Sequence, residues 1–281
     1  MKIAEVEVKD YVTKSNLPFC DYVINPYVGC PHGCRYCYAS FMKRFSGHEE
    51  PWGEFLDVKR CAKPLGKKRL TGKAVFLASV TDPYNPYEKR FEVTCSILEQ
   101  LAEIDCRLYI STKSSLILRD LDLLKCQHDV IVDLSINTLD DAFRRDMDRA
   151  ASIPERLRAL SELHEAGIRT VLFMSPIFPG ITDWRAIVEA TRGVADEYWF
   201  ENLNLRGAYK ADVMGYVRQT HSDLVPLYEE IFTRGDKSYW LEMEQDFTAY
   251  CEAEGIAFTN AFHHAKLVAA KKAGAPLVRR D

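Results

Sequence analysis

The stretch "GCPHGCRYCYA", residues 29 to 39, holds Cys30, Cys34 and Cys37 in the spacing C-x3-C-x2-C. Three thiols this close on one loop read as ligands rather than as disulfide partners. The chain has nine cysteines in 281 residues, an odd number, and at that length it buries enough core to need no covalent staples. Three thiolates can hold three irons of a [4Fe–4S] cluster. No fourth cysteine lies nearby, so the fourth iron is left open. An open coordination position is the mark of a catalytic metal site. Gly29 and Gly33 supply the backbone freedom such a loop needs. Two other readings start from the same residues. In one, the protein is a non-enzymatic metal-binding interaction protein in which His32 joins the cysteines around a structural zinc. In the other it is an electron carrier. Zinc knuckles close four ligands and need no large fold behind them, and carriers close every iron with protein ligands. The other six cysteines, Cys20, Cys61, Cys95, Cys106, Cys126 and Cys251, are scattered and are expected as small buried hydrophobes.

The elements that must position this loop are strands and helices in alternation. Short apolar runs at 21–29, 73–81, 106–113, 129–137, 168–176 and 197–205 read as strands. Several are apolar almost throughout, as parallel strands covered on both faces are. "EVTCSILEQLAE" places Ile97, Leu98 and Leu101 on one helical face. "SIPERLRALSELHEAGI" carries a capping box of Ser152 and Glu155, a stripe of Leu157, Leu160 and Leu163, and a terminating Gly167. "TDWRAIVEATRGV" repeats the pattern with Thr182 or Asp183 as cap. Six strands alternating with helices predict a partial (β/α)6 TIM-like barrel. Residues 206 to 257 look helical and cap it, with no strong seventh or eighth strand, and the chain is expected to be a single domain. Residues 48 to 74 read as a loop-rich insertion ending in the basic "KKRLTGK".

Composition sets outer bounds. The chain is 47% hydrophobic and 28% charged, an ordinary globular mix. Its formal charge of −4 gives no attraction for nucleic acid or an anionic membrane as a whole. "MKIAEVEVKD" is charged and alternating, unlike a signal peptide. No apolar run approaches the roughly 20 residues of a spanning helix. A cytoplasmic protein is expected.

The cysteine spacing, with Tyr36 before the last cysteine, resembles the radical S-adenosylmethionine (radical SAM) enzymes. "INPYVGCPHGCRYCYA" resembles the spore photoproduct lyase-related branch. So do "SVTDPYNPYE", "STKSSLILRDLDLL", "LSINTLDD" and "SPIFPGITD", in the same order. The whole chain is similar to the group called radical SAM mobile pair protein B. The likeness runs from about residue 20 to 245. It implies that SAM chelates the open iron through its amino and carboxylate groups. An electron from the cluster then cleaves the sulfonium bond, and the resulting 5′-deoxyadenosyl radical abstracts hydrogen from a substrate. It also implies an electron donor of flavodoxin or ferredoxin type, and a companion radical SAM protein.

The resemblance assigns further residues to the cofactors. Ser79, Thr81 and Asp82 follow the second strand, where related enzymes often carry a Gly-Gly-Glu segment against the SAM amino group. This chain lacks that segment, and Asp82 is the expected substitute. Lys113 would meet the SAM carboxylate or a substrate anion. Ser135 and Asn137 would meet ribose hydroxyls, and Arg156 the SAM carboxylate. Ile177 would pack on adenine with the backbone near Gly180 passing close. Glu201, Asn202 and Asn204 would face adenine or substrate, and Tyr38 and Phe41 would shield the cluster beside Tyr36. No catalytic residue beyond the cluster ligands is expected. Repair of DNA photoproducts is the alternative that the branch suggests. It would need a basic face, which the acidic chain lacks. It would also need a hydrogen donor, for which nothing selects Cys61 over Cys95. His263 and His264 are expected to be solvated, and "HHAKLVAAKKAGAPLVRR" to form a flexible basic tail.

Overall fold

The computed structural model describes residues 1–262. His263, His264 and the basic tail lie outside the described residues. Six strands run parallel and side by side in chain order: β1 (Tyr22–Ile24), β2 (Ala74–Leu77), β3 (Arg107–Thr112), β4 (Asp129–Ser135), β5 (Arg169–Ile177) and β6 (Glu197–Asn202). The two ends of the sheet are not bonded to each other, so the barrel is partial, as expected. Two additions were not foreseen. A short parallel strand, β7 (Phe258–Asn260), extends the sheet beyond β6, and Val12–Lys14 pairs antiparallel with β1. Three-residue strands are too short to show a period of two, so no sequence pattern announces them.

The insertion at 48–74 is also more ordered than its composition suggests. Phe55–Arg60 forms a strand between Lys2–Glu7, which it pairs in parallel, and Tyr27–Val28, which it pairs antiparallel. Phe55, Leu56 and Val58 are wholly buried. The Tyr27–Val28 strand of this second sheet ends immediately before the cysteine loop.

Alternation along the strands separates an outer core from a barrel lumen. On the outer face, Val75, Leu77, Leu108, Ile110 and Val132 pack with Ile97, Leu98 and Leu101 of α1 (Val93–Leu101). Each such fully buried side chain contributes about 1.5–3 kcal/mol. On the inner face Val23, Phe76, Tyr109, Ile131 and Val171 form a second apolar layer. Phe19 closes the floor of this layer, edge-on to Phe76, Tyr109 and Trp199 at 5.1 to 5.6 Å.

The predicted caps are present. In α2 (Ile153–Glu165) the Ser152 hydroxyl accepts from the Glu155 amide while the Glu155 carboxylate accepts from the Ser152 amide. Asp183 caps α3 (Trp184–Thr191). Thr182 has another task, its hydroxyl donating to the Asn137 carbonyl and accepting from the Phe178 amide. After β6 come α4 (Ala208–Thr220) and α5 (Ser238–Ala253), the expected helical extension. No described helix is long and apolar enough to cross a membrane.

Of the scattered cysteines, Cys20, Cys106 and Cys251 are buried as expected, but Cys61 and Cys95 are half-buried and Cys126 is exposed. Their chain neighbours are polar or charged and leave the thiols at the surface of the outer layer.

Candidate functional site

The cysteine loop leaves the small second sheet at Val28 and turns at two glycines. Gly29 has φ +86°, and a Cβ there would lie 2.4 Å from the Phe55 carbonyl oxygen. At Gly33, φ +55°, a Cβ would meet the Arg149 guanidinium at 2.4 Å. Only glycine fits either position without strain. Gly29→Ala is therefore expected to cost about 1–3 kcal/mol of local strain and to lower iron retention after reconstitution. Wild-type iron content in that variant would contradict the account.

The loop is held on both sides. The Arg149 amide donates to the His32 carbonyl at 2.8 Å and the Arg35 amide to the Met147 carbonyl at 2.9 Å. The Thr81 hydroxyl donates to the Gly29 carbonyl at 2.7 Å. Cys30, Cys34 and Cys37 are all free thiols. Burial foremost, with the Asp148 charge and the other motif cysteines behind it, raises the Cys34 thiol well up, and burial together with Cys30 raises the Cys37 thiol to about 11. The Lys113 ammonium opposes the rise in both. The three sulfurs therefore face one space and repel one another as thiolates. The positive charge of an iron group would offset that repulsion and so favour the deprotonated thiolates. Among the described residues no three His, Cys, Asp or Glu side chains converge to hold a single ion. A single-zinc site with His32 would require such convergence, whereas a cluster whose irons each take one cysteine does not. The donor set therefore fits an iron–sulfur cluster better than zinc.

Asp82, buried at the end of β2, has four partners. Oδ1 accepts from the Thr112 hydroxyl at 2.7 Å and the Tyr84 amide at 2.9 Å. Oδ2 accepts from the Lys113 amide at 2.8 Å and lies 3.2 Å from His32 Nδ1. Burial opposes charge on His32, but Asp82 and Cys30 outweigh it and raise its pKa to about 10. Asp82 is thus engaged within the protein through both oxygens, a role that the sequence, which assigned it to the SAM ammonium, did not show. Its task is to tie the cysteine loop to the end of β3.

Arg156 also differs from its assigned role. It is fully buried. Its guanidinium donates to the Ala151 carbonyl at 2.8 Å, the Ser135 carbonyl at 3.2 Å and Asp148 Oδ1 at 2.7 Å. Tyr36 donates to the other Asp148 oxygen at 3.1 Å. Each of its three guanidinium nitrogens has a partner within the protein, so Arg156 holds the cysteine loop through Asp148 and Tyr36. Asp148 was missed by sequence reasoning, since "MDRA" carries no pattern that separates it from a solvated aspartate.

The other candidates sit at the expected strand ends. Ser79 exchanges bonds with Asn25, its amide donating to Oδ1 at 2.9 Å and its hydroxyl accepting from Nδ2 at 3.3 Å. Ser135 is buried, and Asn137 donates to the Pro176 carbonyl at 3.1 Å. Ile177 is wholly buried in the core, opposite Asn202. Gly180, φ +70°, is exposed, and its amide donates to the Tyr239 hydroxyl at 3.0 Å. Lys113 Nζ lies 5.8 Å from the Tyr36 ring centre. Tyr38 and Phe41 are exposed, and the Tyr38 hydroxyl donates to the Ser79 carbonyl. The Ser175 hydroxyl donates to Glu201. Cys61 packs against the outer layer, and Cys95 lies on α1 with the Asp120 and Arg119 charges near it.

One inward carboxyl was not singled out by the sequence. Asp133 lies within β4, opposite Ser111, and is buried with Oδ1 unpartnered. Burial pushes its pKa up to about 7. A hydrogen bond from Ser111 and the Lys113 ammonium oppose the rise, and the charges of Asp82 and Glu201 add to it. Because the folded value exceeds the ordinary 3.8, the neutral form is the stabilising one. That contribution is complete below about pH 3.8 and is lost as pH rises towards about 7. The slope is at most ~1.4 kcal/mol per pH unit. The stability advantage of Asp133→Asn over the wild type is expected to grow by a few kcal/mol between pH 4 and 8 in urea unfolding. A pH-independent difference would refute the placement.

A partial parallel barrel with three free cysteines on the loop after its first strand defines a class, and the comparisons agree. The Radical SAM superfamily model matches residues 24–190. The chain belongs to the radical SAM superfamily, whose members use a [4Fe–4S] cluster and SAM. An uncharacterized protein of Methanocaldococcus jannaschii is 36% identical over 210 residues, 74% of this chain and 80% of that one. The radical SAM Nalpha-GlyT isomerase of Pseudomonas phage M6 is 24% identical over 262 residues, 85% of this chain and 53% of that one. Among solved structures, spore photoproduct lyase complexed with dinucleoside spore photoproduct superposes with a TM-score of 0.55 at 15% identity, over 78% of this chain and 67% of that one. SuiB of Streptococcus suis gives 0.53 at 15% identity, over 87% and 50%. These matches establish the superfamily and the fold, not the narrower mobile-pair group.

Proposed function

We propose that this chain is an enzyme that cleaves SAM reductively and uses the product to remove a hydrogen atom from a substrate bound in the barrel lumen. The observation that carries the reading is the loop itself: three free thiols in the spacing C-x3-C-x2-C on a glycine turn clamped from both sides. Cys30, Cys34 and Cys37 would hold the cluster. When bound, cluster and SAM supply one-electron cleavage of the SAM C5′–S bond.

The chain's own residues do the rest. Asp82, His32 and Thr81 fix the near side of the loop, and Asp148, Arg156 and Tyr36 fix the far side. Lys113 places one positive charge facing Cys34 and Cys37, where it favours their thiolates. Ser135, Asn137, Ile177, Gly180 and Asn202 remain the proposed SAM contacts, at the carboxyl ends of strands, where parallel barrels gather functional groups. Tyr38, above the lumen, would exclude water from the site. A donor of flavodoxin or ferredoxin type would provide the electron, in the cytoplasm, and a companion radical SAM protein would be a partner.

The test is anaerobic reconstitution with iron and sulfide, then dithionite and SAM, with chromatography for 5′-deoxyadenosine. Cluster absorption together with deoxyadenosine supports the reading. Bound zinc and intact SAM would replace it with the structural alternative.

A further inference from the structure

We propose that the Trp52 indole N–H hydrogen-bonds the Cys37 sulfur once that sulfur is an iron-bound thiolate, and so raises the reduction potential of the cluster. Trp52 is a positioning residue that acts through Cys37. This deepens the functional reading above and rests on it, since it takes the three cysteines to hold a cluster.

The placement of Trp52 starts in "EPWGE", residues 50 to 54. The Glu54 amide donates to the Pro51 carbonyl at 3.0 Å, which closes a turn with Trp52 and Gly53 at its centre. Gly53 has φ +93°, the positive value that the third position of a type II turn requires. The turn packs directly on the cysteine loop, for a Cβ at Gly53 would lie 2.9 Å from the Gly33 Cα. Both residues are glycines, so the two backbones approach with no side chain between them. Arg149 ties the pair together. Its amide donates to the His32 carbonyl at 2.8 Å, and its guanidinium donates to the Gly53 carbonyl and the Glu54 carboxylate, each at 2.8 Å. The indole ring is set edge-on against the wholly buried Phe55 at 5.7 Å.

Two observations then point at the sulfur. Trp52 Nε1 is buried and has no hydrogen-bond partner. An indole nitrogen can only donate, and buried donors left unmet are few in a folded protein. The group within its reach is the Cys37 thiol. Burial raises that thiol, and the Trp52 N–H, with the Ala39 amide, opposes the rise. A neutral thiol accepts weakly, which leaves Nε1 unmet in the metal-free chain. A thiolate carries negative charge and accepts strongly.

The effect on the cluster has a definite sign. Reduction adds one negative charge, part of which falls on the ligand sulfurs. A donor to one of those sulfurs stabilises the reduced form more than the oxidised form and raises the potential. If Trp52 only packed against the loop, its loss would admit water, which solvates the more negative form and also raises the potential. The two roles therefore shift a variant in opposite directions.

Trp52→Phe keeps an aromatic ring against Phe55 and removes the N–H. In an EPR-monitored redox titration of the reconstituted full-length chain, this variant is expected to be about tenfold harder to reduce, a midpoint ~59 mV lower for one electron. A second measurement needs no variant. The wild type grown with indole-15N tryptophan and reduced with dithionite is expected to show a 15N coupling to the cluster in pulsed EPR. Of the other three tryptophans, Trp199 donates to Glu197, and Trp184 and Trp240 pack in the core against Phe247 and Phe262.

A midpoint that is unchanged or raised in Trp52→Phe would overturn the proposal, as would a wild-type cluster without the coupling. If the variant does not fold, the coupling decides. A wild type that binds no iron would overturn both this proposal and the functional reading. A wild type that forms its cluster and deoxyadenosine but shows no coupling would overturn this proposal alone.

Discussion

Cys34→Ala is expected to reduce 5′-deoxyadenosine formation to the no-enzyme background, and Cys30→Ala and Cys37→Ala to do the same. The three thiols share one space, so each adds a thiolate that the other two cannot replace. Removing one would leave the cluster short of a protein ligand, in a loop that Thr81, Arg149 and Met147 hold to one shape. A rigid loop cannot bring another donor across. None of the remaining six cysteines is close in sequence, and Cys126 is exposed on the outer layer. Cys126→Ser is accordingly expected to behave as wild type. The elevated thiol pKa values add a second readout. In the metal-free protein Cys34 and Cys37 are protonated near neutral pH, so cluster assembly releases protons and proceeds more readily as pH rises. Deoxyadenosine production retained by all three alanine variants would end the assignment.

The second large effect is on stability. Arg156→Leu is expected to cost about 3–5 kcal/mol, because it strands a buried aspartate without its cation. Arg156 is fully buried and the Asp148 side chain is only 1% exposed, with 2.7 Å between them. The same change frees the Ser135 and Ala151 carbonyls. Asp148→Leu combined with Arg156→Leu is expected to recover part of the loss, since replacing both partners of a buried pair with apolar groups is often close to neutral. Urea unfolding of the four proteins in the cycle measures this. Were Arg156 a ligand of the SAM carboxylate, Arg156→Leu would keep its stability within about 1 kcal/mol and raise the SAM concentration needed for half-maximal cleavage. These two signatures separate the roles.

The motifs that first marked the protein are joined in three dimensions by contacts that none of them displays alone. Glu88 of "SVTDPYNPYE" accepts from Tyr27 of "INPYVG" and, at 2.9 Å, from Arg119 of "STKSSLILRD". Asp82 joins the cysteine loop to Thr112 and Lys113 in the same way. Spacing along the chain was enough to place the cysteines, the alternating strands and the caps of α2 and α3. Each of these rests on neighbours within a few residues, where backbone geometry fixes which side chains meet.

Which polar residues face the site was not legible in the same way. Asp82 and Arg156 had the right type and the right strand or helix end. Their partners, His32, Thr112, Ser135 and Asp148, lie 8 to 50 residues away in sequence, and it is those partners that turn each inward. Asp133 was hidden for the opposite reason. The second carboxylate of the run "DVIVDLSIN", in its apolar middle, looks like a break in a strand until the barrel places it opposite Ser111 and within reach of Lys113 and Glu201. The sequence by itself determined the cysteine triplet, the parallel barrel and the superfamily, because those follow from local spacing and period. The tertiary structure alone decided which buried polar groups are engaged in holding the loop and that Asp133 Oδ1 is left without a hydrogen bond, because a buried charge must be satisfied by whatever the fold brings to it.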